Sequence, residues 1–208
     1  ESHQVRDILI NLNINARILK AKKNKLIKNN MAQARNNRFE GLITFCKKNN
    51  IHHLFLGHHF DDNLETFLIR KINGSNLEGL ASMNKISYFN NIQIFRPLIE
   101  HSKSTILRFN NYNKIKFLND PSNIDLSFTR VKVRNFLKNT KYKNVVKYEF
   151  MSLRKEIPNY KKMIWETFIE NLADIGPNQI KISFNKLVKH DDLIIEKHIL
   201  HLLKFFKN

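Results

Sequence analysis

Cysteine is almost missing from the 208 residues: Cys46 stands alone, which excludes an internal disulfide, a cysteine-ligated zinc site and a CxxC redox pair. Glycine (5) and proline (4) are too rare to mark a flexible linker, and there is neither an internal repeat nor a low-complexity tail. No apolar run reaches the ~20 residues of a membrane span, and the first residues do not have the form of a signal peptide. A cytoplasmic protein with no membrane partner is expected. The opening Glu-Ser-His has no initiator methionine and reads as a start partway into a longer protein.

Acidic residues are also in short supply. Lys and Arg number 36 against 18 for Asp and Glu, a formal net charge of +18. Such an excess favours a polyanionic partner, nucleic acid first and an anionic membrane surface second. The competing explanation is coding bias, because Lys, Asn, Ile and Phe are abundant together, as in proteins of AT-rich genomes. Only basic residues tied to a motif therefore carry weight. A chain of this length can bury about 70% of its unfolded surface and needs no staple to hold a core.

Apolar spacing predicts helices over residues 2–12 and 31–50 and a short strand over 14–20. Residues 51–59 (IHHLFLGHH) form a compact apolar run of the kind that makes a buried strand in a parallel sheet. A helix is expected next over 61–72, with Asp61 as the candidate N-cap and Asn73-Gly74 as its stop. A strand over 92–99, a serine-opened helix over 102–113, a turn at 119–123 and a basic helix over 128–139 complete the first part. Alternating helices and short strands argue for an α/β fold with a parallel sheet. Beyond about residue 145 the pattern turns mainly helical, over 158–174 and 190–207, around one strand at 179–184.

The segment GHHFDDNLETFLIRKINGSNLEGLASM (57–83) is the place to look for chemistry. A strand ends at Gly57, two histidines come next, and a helix opens at an acidic pair; ligands of open parallel sheets bind at such carboxyl ends. Asp62 and Glu65 are three apart on one helical face. Two carboxylates there could hold magnesium, grip an amine or orient a base. They could equally cap the helix and complement its dipole, with Glu65 solvated. The HHxxD spacing suggests zinc, but no third or fourth ligand accompanies it.

The same segment resembles the signature of tRNA(Ile)-lysidine synthetases, of the ATP-pyrophosphatase (PP-loop) superfamily. ARNNRF (34–39) is similar to that family's A-R-x-x-R-Y segment, FRPLI (95–99) to its R-P-L block, and NDPSNIDLSFTRVKVRNFL (119–137) to its D-P-S-N and R-N-x-x-R block. The blocks are ordered and correctly spaced over about residues 1–140. Two features depart from the pattern. The superfamily's S-G-G-x-D-S phosphate loop is absent from these residues, and Val131 and Lys132 stand where Asn and Arg are usual.

The resemblance implies a fold and a reaction. The fold is a twisted parallel sheet of the Rossmann-like PP-loop type over residues 1–143, lacking its first strands, with a mainly helical tRNA-binding segment over 144–208. The reaction uses ATP and Mg2+ to adenylate the wobble cytidine of CAU-anticodon isoleucine tRNA; the amine of free L-lysine then displaces AMP. Arg35, Arg38, Arg130 and Arg134 become candidates for phosphate or tRNA contacts. Asp62 and Glu65 become the carboxylate pocket for lysine, His59 or a carboxylate takes the proton of the attacking amine, and Asp61 is a candidate magnesium ligand. Oligomeric state stays open, a homodimer included. Two alternatives remain: a tRNA thiolase of the same superfamily, disfavoured by the single cysteine, and a basic RNA-binding module without catalysis.

Overall fold

The computed structural model describes residues 2–19, 31–118, 129–176 and 179–205. The chain divides into two compact units, Glu1–Phe150 and Met151–Asn208. Among the described residues no helix is long and apolar enough to cross a membrane.

In the first unit, helices α1 (Ser2–Asn11) and α2 (Met31–Lys48) fall where the apolar spacing places them. The strand expected over 14–20 does not form: residues 14–19 have no regular structure, and Lys20 lies outside the described residues. Asn13, at φ 58°, closes α1, and no described strand pairs with residues 14–19. An extended segment needs a neighbour to satisfy its backbone groups.

Strands β1 (His53–Phe55), β2 (Ile86–Phe89) and β3 (Ile92–Phe95) make one sheet in the order β1-β3-β2. β1 pairs parallel to β3, but β2 pairs antiparallel to it, so the sheet is small and mixed rather than the twisted parallel sheet expected. The reason is local: Asn90 and Asn91, at φ 49° and 64°, make the left-handed turn that folds β2 back on β3 as a hairpin. β1 is an outer strand with Phe55 two-thirds exposed, not the buried strand its apolar run suggested. Ile43 and Cys46 of α2 bury against Ile92 of β3, with Phe39 and Leu54 alongside. Cys46 is thus a small core side chain.

Helix α3 (Phe60–Ile72) starts at the end of the β1 segment. It stops at the Asn73 C-cap, and Gly74 takes φ 67°, a conformation glycine adopts without a Cβ clash. Leu64 and Phe67 are wholly buried, and the Phe67 ring lies 5.2 Å from that of Phe150. The short α4 (Leu77–Leu80) precedes the sheet hairpin, and α5 (Lys103–Tyr112) opens on the Ser102 N-cap, whose hydroxyl accepts from the Thr105 amide. α6 (Thr129–Phe136) buries Val131 and Val133, and α7 (Thr140–Asn171) comes after it. The expected turn at 119–123 and the DPSN block lie outside the described residues.

In the second unit, α7 continues through Pro158, where the sequence pattern predicted its beginning. A hairpin of β4 (Leu172–Gly176) and β5 (Gln179–Ile182), the short α8 (Phe184–Leu187) and α9 (Asp192–Phe205) complete it. Ile157, Ile164 and Phe168 bury from α7, and His198 from α9 is fully enclosed. The chain is thus α/β with a mainly helical C-terminal part.

Candidate active site

The site is built on the first two turns of α3. Its N-cap is His59, one position before the helix, and not Asp61 as expected. The Asp62 amide donates to His59 Nδ1 at 3.2 Å, while the His59 amide donates to Asp62 Oδ2 at 3.0 Å. This reciprocal capping box satisfies two helix-end amides that would otherwise have no partner. With its Nδ1 lone pair given to an amide, the neutral His59 ring carries its hydrogen on Nε2.

Asp61 points elsewhere. Its Oδ2 accepts the Lys103 amide at the start of α5 at 2.6 Å, and its Oδ1 pairs with Lys143 of α7. Burial raises its pKa, but the Lys143 and Lys103 hydrogen bonds outweigh that and hold the carboxyl below its usual range. Asn63 is fully buried and clamps the loop before β2: its amide nitrogen donates to the Met83 carbonyl at 3.1 Å, and its oxygen accepts the Met83 amide at 2.8 Å.

Glu65 is 3% exposed and lies under two arginines of α6. Arg130 Nε donates to its Oε2 at 2.8 Å, Arg134 Nε to its Oε1 at 2.7 Å, and an Arg134 terminal nitrogen to Oε2 at 3.1 Å. The second carboxylate is held less firmly: an Arg130 terminal nitrogen approaches Asp62 Oδ1 at 3.4 Å. The four-residue spacing of Arg130 and Arg134 puts both guanidiniums on one helical face, so one buried anion can hold the pair. The Glu65 hydrogen bond raises the Arg134 pKa above the already high guanidinium value.

On α2, Arg35 is within electrostatic reach of this cluster. Partial burial lowers its pKa first, then repulsion from Arg130 and Arg38, opposed by Asp62 and Glu65. His58, beside Asp62, Arg96, Arg130 and Arg35, is pushed toward the neutral form, first by burial. The R-P-L arginine is structural: Arg96 donates to the Asn84 carbonyl at 3.0 Å and the Ser87 hydroxyl at 2.9 Å.

The structure brings His59, Asp62, Glu65, Arg130 and Arg134 together, with Arg35 within electrostatic reach; it relates Arg38 to Arg35 and turns Asp61 toward α5 and α7. Asp61 and Glu65 do not fit a magnesium site as they stand, because their oxygens already accept from an amide, guanidiniums or Lys143, and Asp62 alone is left with an oxygen approached no closer than 3.4 Å. Among the described residues no group of three or more His, Cys, Asp or Glu is placed to hold a metal ion. Sequence reasoning missed Asn63 and the Lys143 and Lys103 partners of Asp61. It had the signal for the Glu65 cluster, an acidic position and two arginines at helical spacing, but read the charges as facing ligands rather than each other.

A cavity of about 600 Å³ opens beside the cluster, walled by the N-cap His59, Asp61 and Glu65 of α3, Lys103 of α5, Arg134 of α6 and Lys143 of α7. Its cations outnumber its two carboxylates, both of which are already paired, so an anionic guest is favoured there.

The PP-loop domain family matches residues 1–141. The tRNA(Ile)-lysidine synthase of Wolbachia pipientis wMel is 34% identical over 173 residues, covering 80% of this chain and 40% of that protein. That of Mycoplasma mycoides subsp. mycoides SC is 30% identical over 203 residues, 89% of this chain and 50% of the relative. That of Orientia tsutsugamushi (strain Boryong) is 42% identical over 110 residues, 53% and 25% of the two chains. The chain thus spans at most half the length of these three relatives. The matched stretch contains α2, α3 and α6, and with them the whole Glu65 cluster: this chain belongs to the PP-loop domain family.

Proposed function

We propose that this chain carries part of the active site of a tRNA(Ile)-lysidine synthase, which uses ATP to join lysine to the wobble cytidine of CAU-anticodon isoleucine tRNA. The carrying observation is the arginine set, Arg130 and Arg134 fixed on buried Glu65 with Arg35 within electrostatic reach and Arg38 next to Arg35, positive charge where phosphate can be held. The curated relatives bear that name over most of this chain's length.

ATP, when bound, supplies the adenylyl group that makes the cytidine oxygen a leaving group. Arg35, Arg38 and Arg130 offset the charge of its phosphates. Glu65 acts by positioning, since a lysine ammonium could reach it only by displacing a guanidinium. Asp62 Oδ1, approached by Arg130 at the long distance of 3.4 Å, is the carboxylate open to the ammonium of free lysine. His59 orients Asp62 through the capping box, and one of the two takes the proton that the attacking amine gives up. Residues 144–208 would add contacts to the tRNA backbone. The buried state of the one cysteine argues against the thiolase alternative, which needs an accessible thiol.

The test is lysine-dependent AMP release on CAU-anticodon tRNA(Ile) by the product of the complete reading frame. Asp62→Asn should raise the lysine KM while leaving the ATP KM near its parental value; Glu65→Gln should impair use of both. AMP release that does not depend on lysine, or depends on a sulfur donor, would sink the proposal.

A further inference from the structure

Where α6 ends and α7 begins, two aromatic rings face each other at the surface. Phe136 and Tyr142 stack with centroids 4.8 Å apart and planes 3° from parallel. They are 45% and 47% exposed. Packing this helical corner does not require them at the surface, because Val133, Leu137 and Val146 already bury there. A stacked pair of large rings left half in water keeps flat apolar area that a guest can cover.

The charges the chain carries around the two rings are of one sign. Every charged side chain in residues 129–147 is basic. Lys132, Lys138 and Lys141 are exposed and have no ion-pair partner among the described residues. Lys132 precedes Phe136 by four residues on α6, which puts cation and ring on one face. Leu137, Lys138 and Thr140, between the two rings, line the cavity beside the Glu65 cluster. The nearby carboxylates, Asp61 and Glu65, are already paired with Lys143 and Arg134, so an aromatic platform with unpaired cations on its flank suits an unpaired nucleotide: the ring takes the base face, the lysines take the phosphates. An apolar or acidic peptide would use only one half of these features.

We propose that Phe136 and Tyr142 form a stacking platform for an unpaired base of the RNA substrate, with Lys132, Lys138 and Lys141 holding the phosphates on either side of it. This rests on the tRNA(Ile)-lysidine synthase reading and adds where the looped strand is gripped as it approaches the cavity. Stacking is tolerant of base identity, so the platform sets affinity for single-stranded over paired RNA rather than choice of sequence.

The test compares the full chain with Tyr142→Leu, Tyr142→Phe and Tyr142→Trp. The probes are a short RNA hairpin with 2-aminopurine in its loop and the same strand annealed to its complement. Tyr142→Leu should bind the hairpin about tenfold more weakly, with duplex affinity unchanged, and Tyr142→Phe should match the parent. Tyr142→Trp adds an indole to the single native Trp165; its emission should fall on hairpin addition, and this readout serves even where the leucine variant folds poorly. Parental hairpin affinity in Tyr142→Leu, or unchanged emission in Tyr142→Trp at saturation, overturns the platform and leaves the tRNA reading standing. Absence of salt-sensitive hairpin binding by the parent overturns both.

Discussion

Glu65 holds two guanidiniums in a place where its side chain is only 4% exposed. A carboxylate so enclosed is tolerable because three charge-assisted hydrogen bonds replace its water, and the arrangement is costly to break from either side. Glu65→Gln keeps the shape but leaves Arg130 and Arg134 side by side without a countercharge. The expected loss is about 3 kcal/mol, read as a lower urea midpoint. Arg134→Gln in the same background should recover part of it, because the second change removes the unpaired charge. A Glu65→Gln protein as stable as the parent would mean that the arginines are held by something else. The residues of this cluster were legible from local spacing on α3 and α6. Their mutual pairing was not, since it spans 65 positions and periodicity carries no information at that range.

Helices α7 and α9 meet over His198, whose burial favours the neutral ring. Nε2 lies 3.2 Å from the Ile164 carbonyl and 3.1 Å from the Thr167 hydroxyl, and Nδ1 lies 3.2 Å from the Asn171 amide nitrogen. A carbonyl only accepts, so the hydrogen is on Nε2 and Nδ1 receives from Asn171. Burial lowers the pKa, partly offset by the Ile164 carbonyl, with His190 and His201 lowering it further. The unfolded chain therefore takes up a proton near pH ~6.5, and the folded chain takes it up at lower pH. Stability is full above about pH 6.5 and falls as pH drops toward the folded pKa, by at most ~1.4 kcal/mol per pH unit. Melting curves from about pH 7 to pH 5 should show this slope, and His198→Gln should reduce it to the share left by His58, which burial also favours as neutral; an identical slope in the variant would place the titration elsewhere. Element boundaries were harder to read than their existence. Pro158 looked like a helix start because proline favours a first turn, yet α7 runs from Thr140 through it. β2 was missed because Ile-Ser-Tyr-Phe is short, and its strand character depends on the Asn90-Asn91 turn that pairs it with β3.

As a polyelectrolyte, the molecule carries +18 over 208 residues. If that charge serves tRNA, affinity should fall by about 0.7–0.9 log units per log unit of salt for each phosphate neutralised. Filter binding with CAU-anticodon tRNA(Ile) and with a methionine tRNA should give steep, nearly parallel lines, because backbone contacts position RNA without reading it. Flat lines would assign the lysine excess to coding bias. The α/β class and the helical C-terminal part were readable from the order of periodic segments. The mixed sheet was not, because strand direction is set by a two-residue turn that an apolar pattern does not register.

From His59 to Phe67 each of nine consecutive positions already has a task in holding this molecule together. His59 and Asp62 cap each other, Phe60 donates its amide to the His101 carbonyl, and Asp61 ties down α5 and α7. Asn63 clamps Met83, Glu65 anchors α6, Thr66 bonds back to the Asp62 carbonyl, and Leu64 and Phe67 fill the core. A saturation mutagenesis screen would therefore show one unbroken intolerant block here, and most of that block would track soluble protein yield. Turnover per folded molecule, at Asp62 above all, is the measurement that lifts chemistry out of that background.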